Sequence, residues 1–305
     1  MKCIVIGGAG FIGSNLVDRL IEDGHKVVVV DDLSTGKEEN INPKAKFFRC
    51  DMSNTKLYRA TFQWGDIWKD TDIIFYMAAK ARVQPSIENP FEYHRVNVDG
   101  LLAGLGISLE FGIKRFVYSS SSSVYGDTTE LPSMETSILN PMSPYALQKL
   151  IGEQYCKLFS KVYGLETVCL RYFNVYGERQ PLTGAYALVM GIFAQQKLNG
   201  EPMTIRGDGE QRRDFTYVGD VVNANIQAGF HPDPLRGVVF NIGNGDNRSV
   251  NELADMIGGD RINVDPVIEP NETLANNSKA GFILNWKPTI KIEDWIIKYK
   301  EEIGL

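Results

Sequence analysis

Cysteine and histidine are scarce, and their spacing excludes several chemistries. Only Cys3, Cys50, Cys156 and Cys169 are present, far apart and without a Cys-x-x-Cys pair. No disulfide framework or metal site is expected from them; they read as small core hydrophobes in a reducing compartment. The three histidines, His25, His94 and His231, are widely separated. No histidine or cysteine therefore suits a nucleophilic triad, and hydrolase chemistry is disfavoured. Basic charge is also short, since 32 Lys and Arg against 38 Asp and Glu give a net charge of -6. There is no basic run and no aromatic-basic interleaving, so no nucleic-acid partner is expected. No apolar run reaches 18 residues, and the N-terminus enters a strand at once. Neither a membrane span nor a signal peptide is expected, and the default location is cytoplasmic.

What is present is an ordinary globular composition, 43% hydrophobic and 23% charged over 305 residues. That is enough for one large α/β domain plus a smaller lobe. The first two-thirds alternates short apolar runs with amphipathic stretches, the pattern of a doubly wound parallel sheet covered by helices on both faces. Strands are expected at Lys2–Ile6, Lys26–Val30, Lys46–Arg49, Ile73–Tyr76, Arg115–Ser119 and Glu166–Leu170. Helices are expected at Phe11–Glu22, Phe91–Phe111 and Pro144–Tyr163. Beyond Tyr172 the repeat loosens. Helices near Ala185–Leu198, Val218–Phe230, Val250–Ile257 and Ile292–Glu302 are expected there, with strands at Met203–Ile205, Asp214–Tyr217 and Val238–Ile242. The division read from this is a Rossmann-type domain over 1–172 and a smaller α/β substrate lobe over 173–305, with segments near 214–242 able to rejoin the main sheet.

The N-terminus carries a dinucleotide-binding turn. Val5-Ile6 closes a strand, Gly7-Gly8-Ala9-Gly10-Phe11-Ile12-Gly13 turns, and a helical pattern follows. A tight turn lets backbone approach a pyrophosphate, and the helix start offers free N–H groups to its charge. The next strand ends in Asp31-Asp32, 18 residues after Gly13. A carboxylate there accepts ribose hydroxyls and repels a 2′-phosphate, which favours NAD over NADP. Asp51-Met52 after the third strand reads equally as an adenine contact or a helix cap.

A second constellation handles protons. Ser143-Pro144-Tyr145 has the residues of a helix start, serine at the cap and proline at the first position. Tyr145 then shares a face with Lys149 one turn on. This spacing alone says little, because 13 tyrosines and 18 lysines supply roughly one such pair by chance. Tyr76 and Lys80 form a second pair, but Tyr76 ends a strand and core packing accounts for it better. An unperturbed tyrosine titrates near roughly 10. An ammonium about 4 Å away at an effective dielectric of about 20 would favour the phenolate by about 4 kcal/mol. Even half of that is worth about 1.5 pK units, giving a base able to take a hydroxyl proton as hydride leaves the same carbon. The serine run Ser119 to Ser123 follows a strand, where open α/β sheets bind ligands. Any of the five could hydrogen-bond the reacting oxygen.

Taken in order, these residues resemble the extended short-chain dehydrogenase/reductase family, and within it the UDP-hexose 4-epimerases most. The marks are Gly7–Gly13, Asp31-Asp32-Leu33, Tyr76-Met77-Ala78-Ala79, Ser121-Ser122-Ser123-Val124-Tyr125-Gly126, Tyr145–Lys149, Leu170–Gly177 and Arg213–Val218. They span nearly the whole chain. The resemblance implies a catalytic set of Ser121, Tyr145 and Lys149, with Tyr145 as base. It implies NAD contacts at Gly7, Gly10, Phe11, Ile12, Gly13, Asp31, Asp32, Leu33, Ser34, Thr35 and Gly36. Further NAD contacts would come from Asp51, Met52, Met77, Ala78, Ala79, Lys80, Asn97 and Phe173, besides Tyr145 and Lys149. Ser121, Ser123 and Tyr145 would meet the sugar, Asn174 and Arg213 the diphosphate, and the stretch with Thr204 and Arg206 the uracil. A homodimer through Phe91–Phe111 and Pro144–Tyr163 is also implied.

The sequence departs from that pattern in three places. Tyr76 stands where the family has His, Arg206 where it has Phe, and the segment Glu269 to Asn276 is short and lacks the second diphosphate arginine. The implied reaction removes hydride and a proton at C4 and returns both, the hydride to the opposite face. The competing readings are 4,6-dehydration or decarboxylation of a nucleotide sugar, and an NAD sensor without catalysis. Ser122-Ser123 holds the place of the dehydratases' acidic pair, and an intact Ser/Tyr/Lys set argues against a sensor.

Overall fold

The computed structural model describes residues 1–54, 65–181, 189–267 and 269–305. Its centre is a seven-stranded sheet built on β1 (Lys2–Ile6), β2 (Lys26–Asp31), β3 (Lys46–Arg49), β4 (Ile73–Tyr76), β5 (Arg115–Ser121) and β6 (Glu166–Tyr172). The seventh strand is Val238–Ile242, and the order across the sheet is Val238–Ile242, β6, β5, β4, β1, β2, β3. Every pairing is parallel. Strand order therefore reverses between β1 and β4, the topological switch point of a doubly wound Rossmann-type sheet.

The strands read as nearly continuous apolar runs because both faces are covered. Alternation sorts their side chains. Cys3 and Val5 join Val27, Val29, Phe75, Val117 and Leu170 under helix α1 (Phe11–Glu22), which contributes Leu16, Val17 and Leu20. Ile4 and Ile6 face the other way, with Val28, Val30, Ile74, Phe116 and Tyr118, under Leu101 and Leu105 of helix Gly100–Glu110 and Cys156 of helix Pro144–Tyr163. All four cysteines are buried and unpaired. Tyr76 of the chance pair packs in this second layer, its ring 5.6 Å from that of Phe116.

The chain past Tyr172 divides its loyalties. Val221, Val222, Phe240, Ile242, Leu284 and Trp286 complete the first layer of the main sheet. A separate apolar cluster forms from Tyr176 onward, with Met190, Phe193, Met203, Ile205, Leu253 and Trp295. Several outlines differ from expectation. The helix expected over Phe91–Phe111 is three pieces, α-helical Pro90–His94, a π-helical Arg95–Asp99 and α-helical Gly100–Glu110. The strand expected over Asp214–Tyr217 is two short ones, Arg212–Asp214 and Thr216–Tyr217, with different partners. The helix expected from Ala185 is described from Val189 to Leu198; positions 185–188 lie outside the described residues. Helix Val83–Glu88, which the sequence reading passed over, packs on helix Pro144–Tyr163.

Candidate active site

A cleft of about 1450 Å³ opens at the carboxyl ends of the strands, around the switch point. Its floor is the glycine turn. Gly7 has φ +85°, and a Cβ there would lie 2.6 Å from the Ala78 nitrogen. At Gly13 a Cβ would lie 2.1 Å from the Gly7 carbonyl oxygen. Only glycine lets strand, turn and helix close this tightly. Gly10 caps α1 without a side-chain hydrogen bond, so the first-turn N–H groups of α1 are left for a ligand. Gly10, Phe11, Ile12 and Gly13 line the cleft, and so do Asp31, Asp32, Ser34, Thr35, Asp51 and Met52 on its wall. Met77, Ala78, Ala79 and Lys80 complete this side. Asp31 is nearly buried; its Oδ2 accepts the Ala9 N–H at 3.0 Å and its Oδ1 the Leu33 N–H at 2.8 Å. Burial pushes its carboxyl up, and those two N–H donors partly offset the rise. Asp51 is pushed up by burial but held below the usual range by Ser53 and Arg95. Its Oδ1 accepts the Ser53 N–H at 2.9 Å, the bond a helix cap also makes; positions 55–64, where such a helix would run, lie outside the described residues.

Strand alternation sorts the serine run, which the sequence left open. Ser119 Oγ turns to Met77 Sδ at 2.8 Å and Tyr172 OH at 3.2 Å. Ser120 Oγ points to the other face and donates to Glu153 Oε1 at 2.5 Å. Ser121 lines the cleft beside Tyr145 and pulls its phenol down, and its Oγ accepts the Ser123 N–H at 3.2 Å. Helix Pro144–Tyr163 starts as the sequence predicts. Ser143 Oγ accepts the Ala146 N–H at 3.2 Å, proline occupies the first turn, and Gly164 ends the helix in the left-handed region. Tyr145 is placed by a further bond, its N–H donating to Ser86 Oγ at 3.2 Å.

The electrostatics of the pair differ from the expected ones. Lys149 is 4% exposed, and its Nζ donates to the Ser119 carbonyl at 2.6 Å. Nζ lies 5.9 Å from the Tyr145 ring centre, over the ring and not on the phenol oxygen. Burial therefore dominates both groups. The Tyr145 phenol is pushed up by desolvation, with the Ser121 hydroxyl and the Arg82 charge pulling it back. The Lys149 ammonium is pushed down to about 8 by burial, partly countered by Glu153. The four-residue spacing put the two side chains on one face, but a carbonyl from β5 claimed the ammonium.

Beneath the site runs a polar network that sequence reading missed. Arg171 Nε and Nη2 donate to Glu153 Oε1 and Oε2 at 2.8 and 2.7 Å, and each side chain is 3% exposed. Arg171 Nη1 donates to Tyr125 OH at 2.8 Å, which donates to Asn241 Oδ1 at 2.7 Å. Asn241 Nδ2 reaches the Ser133 and Asn276 carbonyls. The serine strand, the Tyr145 helix and the chain after Tyr172 are thus joined through one buried ion pair. The only sequence signal was Glu153 one turn beyond Lys149.

At the far end of the cleft stand Asn174, Arg206 and Arg213. Arg213 is already engaged: Nη2 donates to Glu269 Oε2 at 2.6 Å, and Nη1 to the Arg212 and Asn271 carbonyls. Asn174 Nδ2 donates to the Asp214 carbonyl at 3.0 Å and to Thr273 Oγ1 at 3.3 Å. Five expected contacts lie off the lining. Phe173 is 1% exposed, packed with Tyr125 and Ala275. Asn97 is buried, its amide divided between Lys80 and Gln148. The Thr204 hydroxyl bonds to Gln196, and Leu33 and Gly36 sit behind Asp31 in the turn. Among the described residues no group of His, Cys, Asp and Glu could hold a metal.

The glycine cradle, the uncapped helix start and the acid at the end of β2 fit a dinucleotide. The comparisons agree. A family model described as the NAD dependent epimerase/dehydratase family matches residues 3–243. A putative UDP-glucose 4-epimerase of Methanocaldococcus jannaschii is 40% identical over 300 residues, covering 96% of this chain and 95% of that one. The UDP-glucose 4-epimerase of Thermotoga maritima, crystallised with UDP-glucose, superposes with a TM-score of 0.92 at 36% identity, covering all of both chains. A UDP-N-acetylglucosamine 4-epimerase of Methanobrevibacter ruminantium, in complex with UDP-N-acetylmuramic acid, superposes at 0.89 with 36% identity, covering 99% of this chain and 97% of that one.

Proposed function

This chain belongs to the NAD-dependent epimerase/dehydratase family, and from that premise we propose that it inverts C4 of a UDP-hexose through a transient 4-keto sugar. The observation that supports this most is the meeting of Ser121, Tyr145 and Lys149 with the dinucleotide turn in one cleft. NAD, when bound, supplies a reversible acceptor for the C4 hydride. The chain supplies orientation and proton handling. Tyr145 accepts the proton of the C4 hydroxyl and later returns it to the same oxygen. Ser121 hydrogen-bonds the phenol and the reacting oxygen, and so bridges base and substrate. Lys149, fixed to Ser119 O, holds positive charge beneath the phenol ring. Asn174 and Arg213 face the diphosphate, with Arg206 toward the base. Nothing is gained or lost overall, so the product has the mass of the substrate.

Incubation with UDP-glucose and with UDP-N-acetylglucosamine, read by product NMR and mass, tests this. A C4 epimer of equal mass is expected. A product lighter by water or by carbon dioxide would replace this reading with dehydration or decarboxylation; no carboxylate accompanies Ser121 to Tyr125 to support either. Tyr145→Phe is expected to bind UDP-sugar yet turn over at least about 100-fold more slowly; full turnover would remove Tyr145 as base.

The reading extends to a homodimer. Leu147, Leu158 and Val162 are exposed along helix Pro144–Tyr163, beside exposed Ile87 and Phe91. Such an apolar face suits a four-helix contact between two copies. Light scattering that gives only monomer at micromolar concentration would exclude it. No described helix is long and apolar enough to cross a membrane, and a reducing, cytoplasmic setting accords with the unpaired cysteines.

A further inference from the structure

Helix Pro144–Tyr163 carries a buried glycine at 152, between Lys149 and Glu153, where glycine weakens a helix interior. Its reason lies on β5. A Cβ at Gly152 would stand 2.2 Å from the Tyr118 hydroxyl oxygen and 2.7 Å from the ring Cε1. Tyr118 is 1% exposed, and its hydroxyl has no hydrogen-bond partner among the described residues. Burying a phenol oxygen without a bond is unfavourable, so the hydroxyl does not account for the tyrosine. The ring has a partner: Lys149 Nζ lies over its face, 5.1 Å from the centre, nearer than the 5.9 Å to the Tyr145 ring.

An ammonium has three N–H donors. Lys149 gives one to the Ser119 carbonyl at 2.6 Å, and the Tyr118 and Tyr145 rings lie near the rest. Burial works against its charge, and Glu153, one turn on, is the chief group opposing that. Glu153 is itself held at both oxygens by Arg171, which cancels much of its field at Lys149. The negative face of an aromatic ring attracts a cation most where water is absent, and Lys149, 4% exposed, sits in such a place.

We propose that Tyr118 is a positioning residue of the catalytic set: its ring face receives the Lys149 ammonium and, with the Ser119 carbonyl, fixes that charge beneath the Tyr145 phenol. The contact stands on its own geometry, and its consequence for turnover rests on the epimerase reading above. Other titratable groups face the same pocket. Tyr145, Glu153 and Cys156 come from the helix itself, Cys169 and Arg171 from β6, and Arg82, ahead of helix Val83–Glu88, acts on Tyr145. Burial pushes the Tyr118 and Tyr145 phenols up, and the Cys156 neighbour together with burial pushes the Cys169 thiol up. None of these three competes with the ammonium as the pH rises through about 8.

The test uses the NAD-loaded wild type, Tyr118→Leu, Tyr118→Phe and Tyr118→trifluorophenylalanine, the last with a ring of similar shape whose face is no longer negative. NMR of isotope-labelled lysine Cε follows the titration of Lys149, assigned by its loss in Lys149→Met. The pH profile of kcat/KM with UDP-glucose is recorded beside it. In Tyr118→Leu the Lys149 titration should move down by about one pK unit, ten-fold in the ratio of ammonium to amine. The basic limb of the profile should move with it toward lower pH. Tyr118→Phe should leave both in place, and Tyr118→trifluorophenylalanine should follow Tyr118→Leu. A Lys149 titration unmoved in the leucine and trifluorophenylalanine variants would overturn the proposal. So would equal shifts in all three, which would assign the effect to the hydroxyl. Should Tyr118→Leu fail to fold, the two aromatic variants decide. If no UDP-sugar turns over, the epimerase reading fails, and the Lys149 titration alone decides the role of Tyr118.

Discussion

Replacing Lys149 by methionine should stabilise the cofactor-free chain while removing its activity. The ammonium is 4% exposed and titrates near 8, against 10.5 for an unburied lysine. Each pK unit is worth about 1.4 kcal/mol, so holding the charged form at pH 7 costs the fold about 3 kcal/mol. Methionine removes that penalty but also the hydrogen bond to the Ser119 carbonyl, worth about 1 kcal/mol. A net gain of about 2 kcal/mol remains. With an unfolding entropy of roughly 2.1 cal/mol/K per residue, that is about 3 °C in Tm for a chain of 305 residues.

The pH dependence separates this cause from better packing. The folded pKa of Lys149 lies below its unfolded value, so between the two the unfolded chain holds the extra proton. Raising the pH from 8 toward 10.5 therefore favours the folded wild type. By pH 9.5 the penalty has dropped to about 1 kcal/mol, and the advantage of Lys149→Met should shrink by about 2 kcal/mol. Thermal melts of both proteins at pH 7 and 9.5 measure this, and turnover with UDP-glucose should fall at least about 100-fold. A variant less stable than wild type at pH 7, by a margin unchanged at pH 9.5, would refute the reasoning.

Two further outcomes follow from the same geometry. Glu153→Ala leaves Arg171 charged, buried and unpaired, and should cost about 3–5 kcal/mol. The double replacement Glu153→Met with Arg171→Met should recover most of that; equal melting temperatures for single and double variants would show that the pair is not the cause. Asp31→Ala removes the acceptor of the Ala9 and Leu33 N–H groups and, on the proposed function, a charge that would repel a 2′-phosphate. NAD affinity should fall about 10-fold or more, and the preference for NAD over NADP should narrow. An unchanged ratio of the two dissociation constants would mean that Asp31 shapes the turn alone.

The sheet was legible because its strands are buried on both faces and bounded by turn residues. The limits of Lys2–Ile6, Lys46–Arg49, Ile73–Tyr76 and Val238–Ile242 were read as they stand. Local chemistry also fixed the start of helix Pro144–Tyr163, since Ser143 and Pro144 act within one turn of it. Where tertiary partners decide, the reading stopped short. Helix Val83–Glu88 is six residues long, too short to show a period, and is held by contacts with helix Pro144–Tyr163. Nothing near position 97 announces the π-helical turn that buries Asn97, and only Gln148 and the Lys80 backbone explain it.

The site shows the same division more sharply. A spacing of four residues dictates that Tyr145 and Lys149 share a helix face, but not what lies opposite that face. Opposite it stands the end of β5, whose carbonyl at Ser119 takes the ammonium. Proximity in sequence thus overstated the charge that Lys149 lends the phenol oxygen. The pull on the phenol comes instead from Ser121 and Arg82, residues 24 and 63 positions upstream in sequence. Arg213 makes the converse case. Its side chain looked available for a diphosphate, yet Glu269, 56 positions on, holds it at 2.6 Å. Any anionic ligand at that end must compete with a carboxylate already in place. Local chemistry nominates residues for a site, and long-range partners decide how much charge each has left to offer.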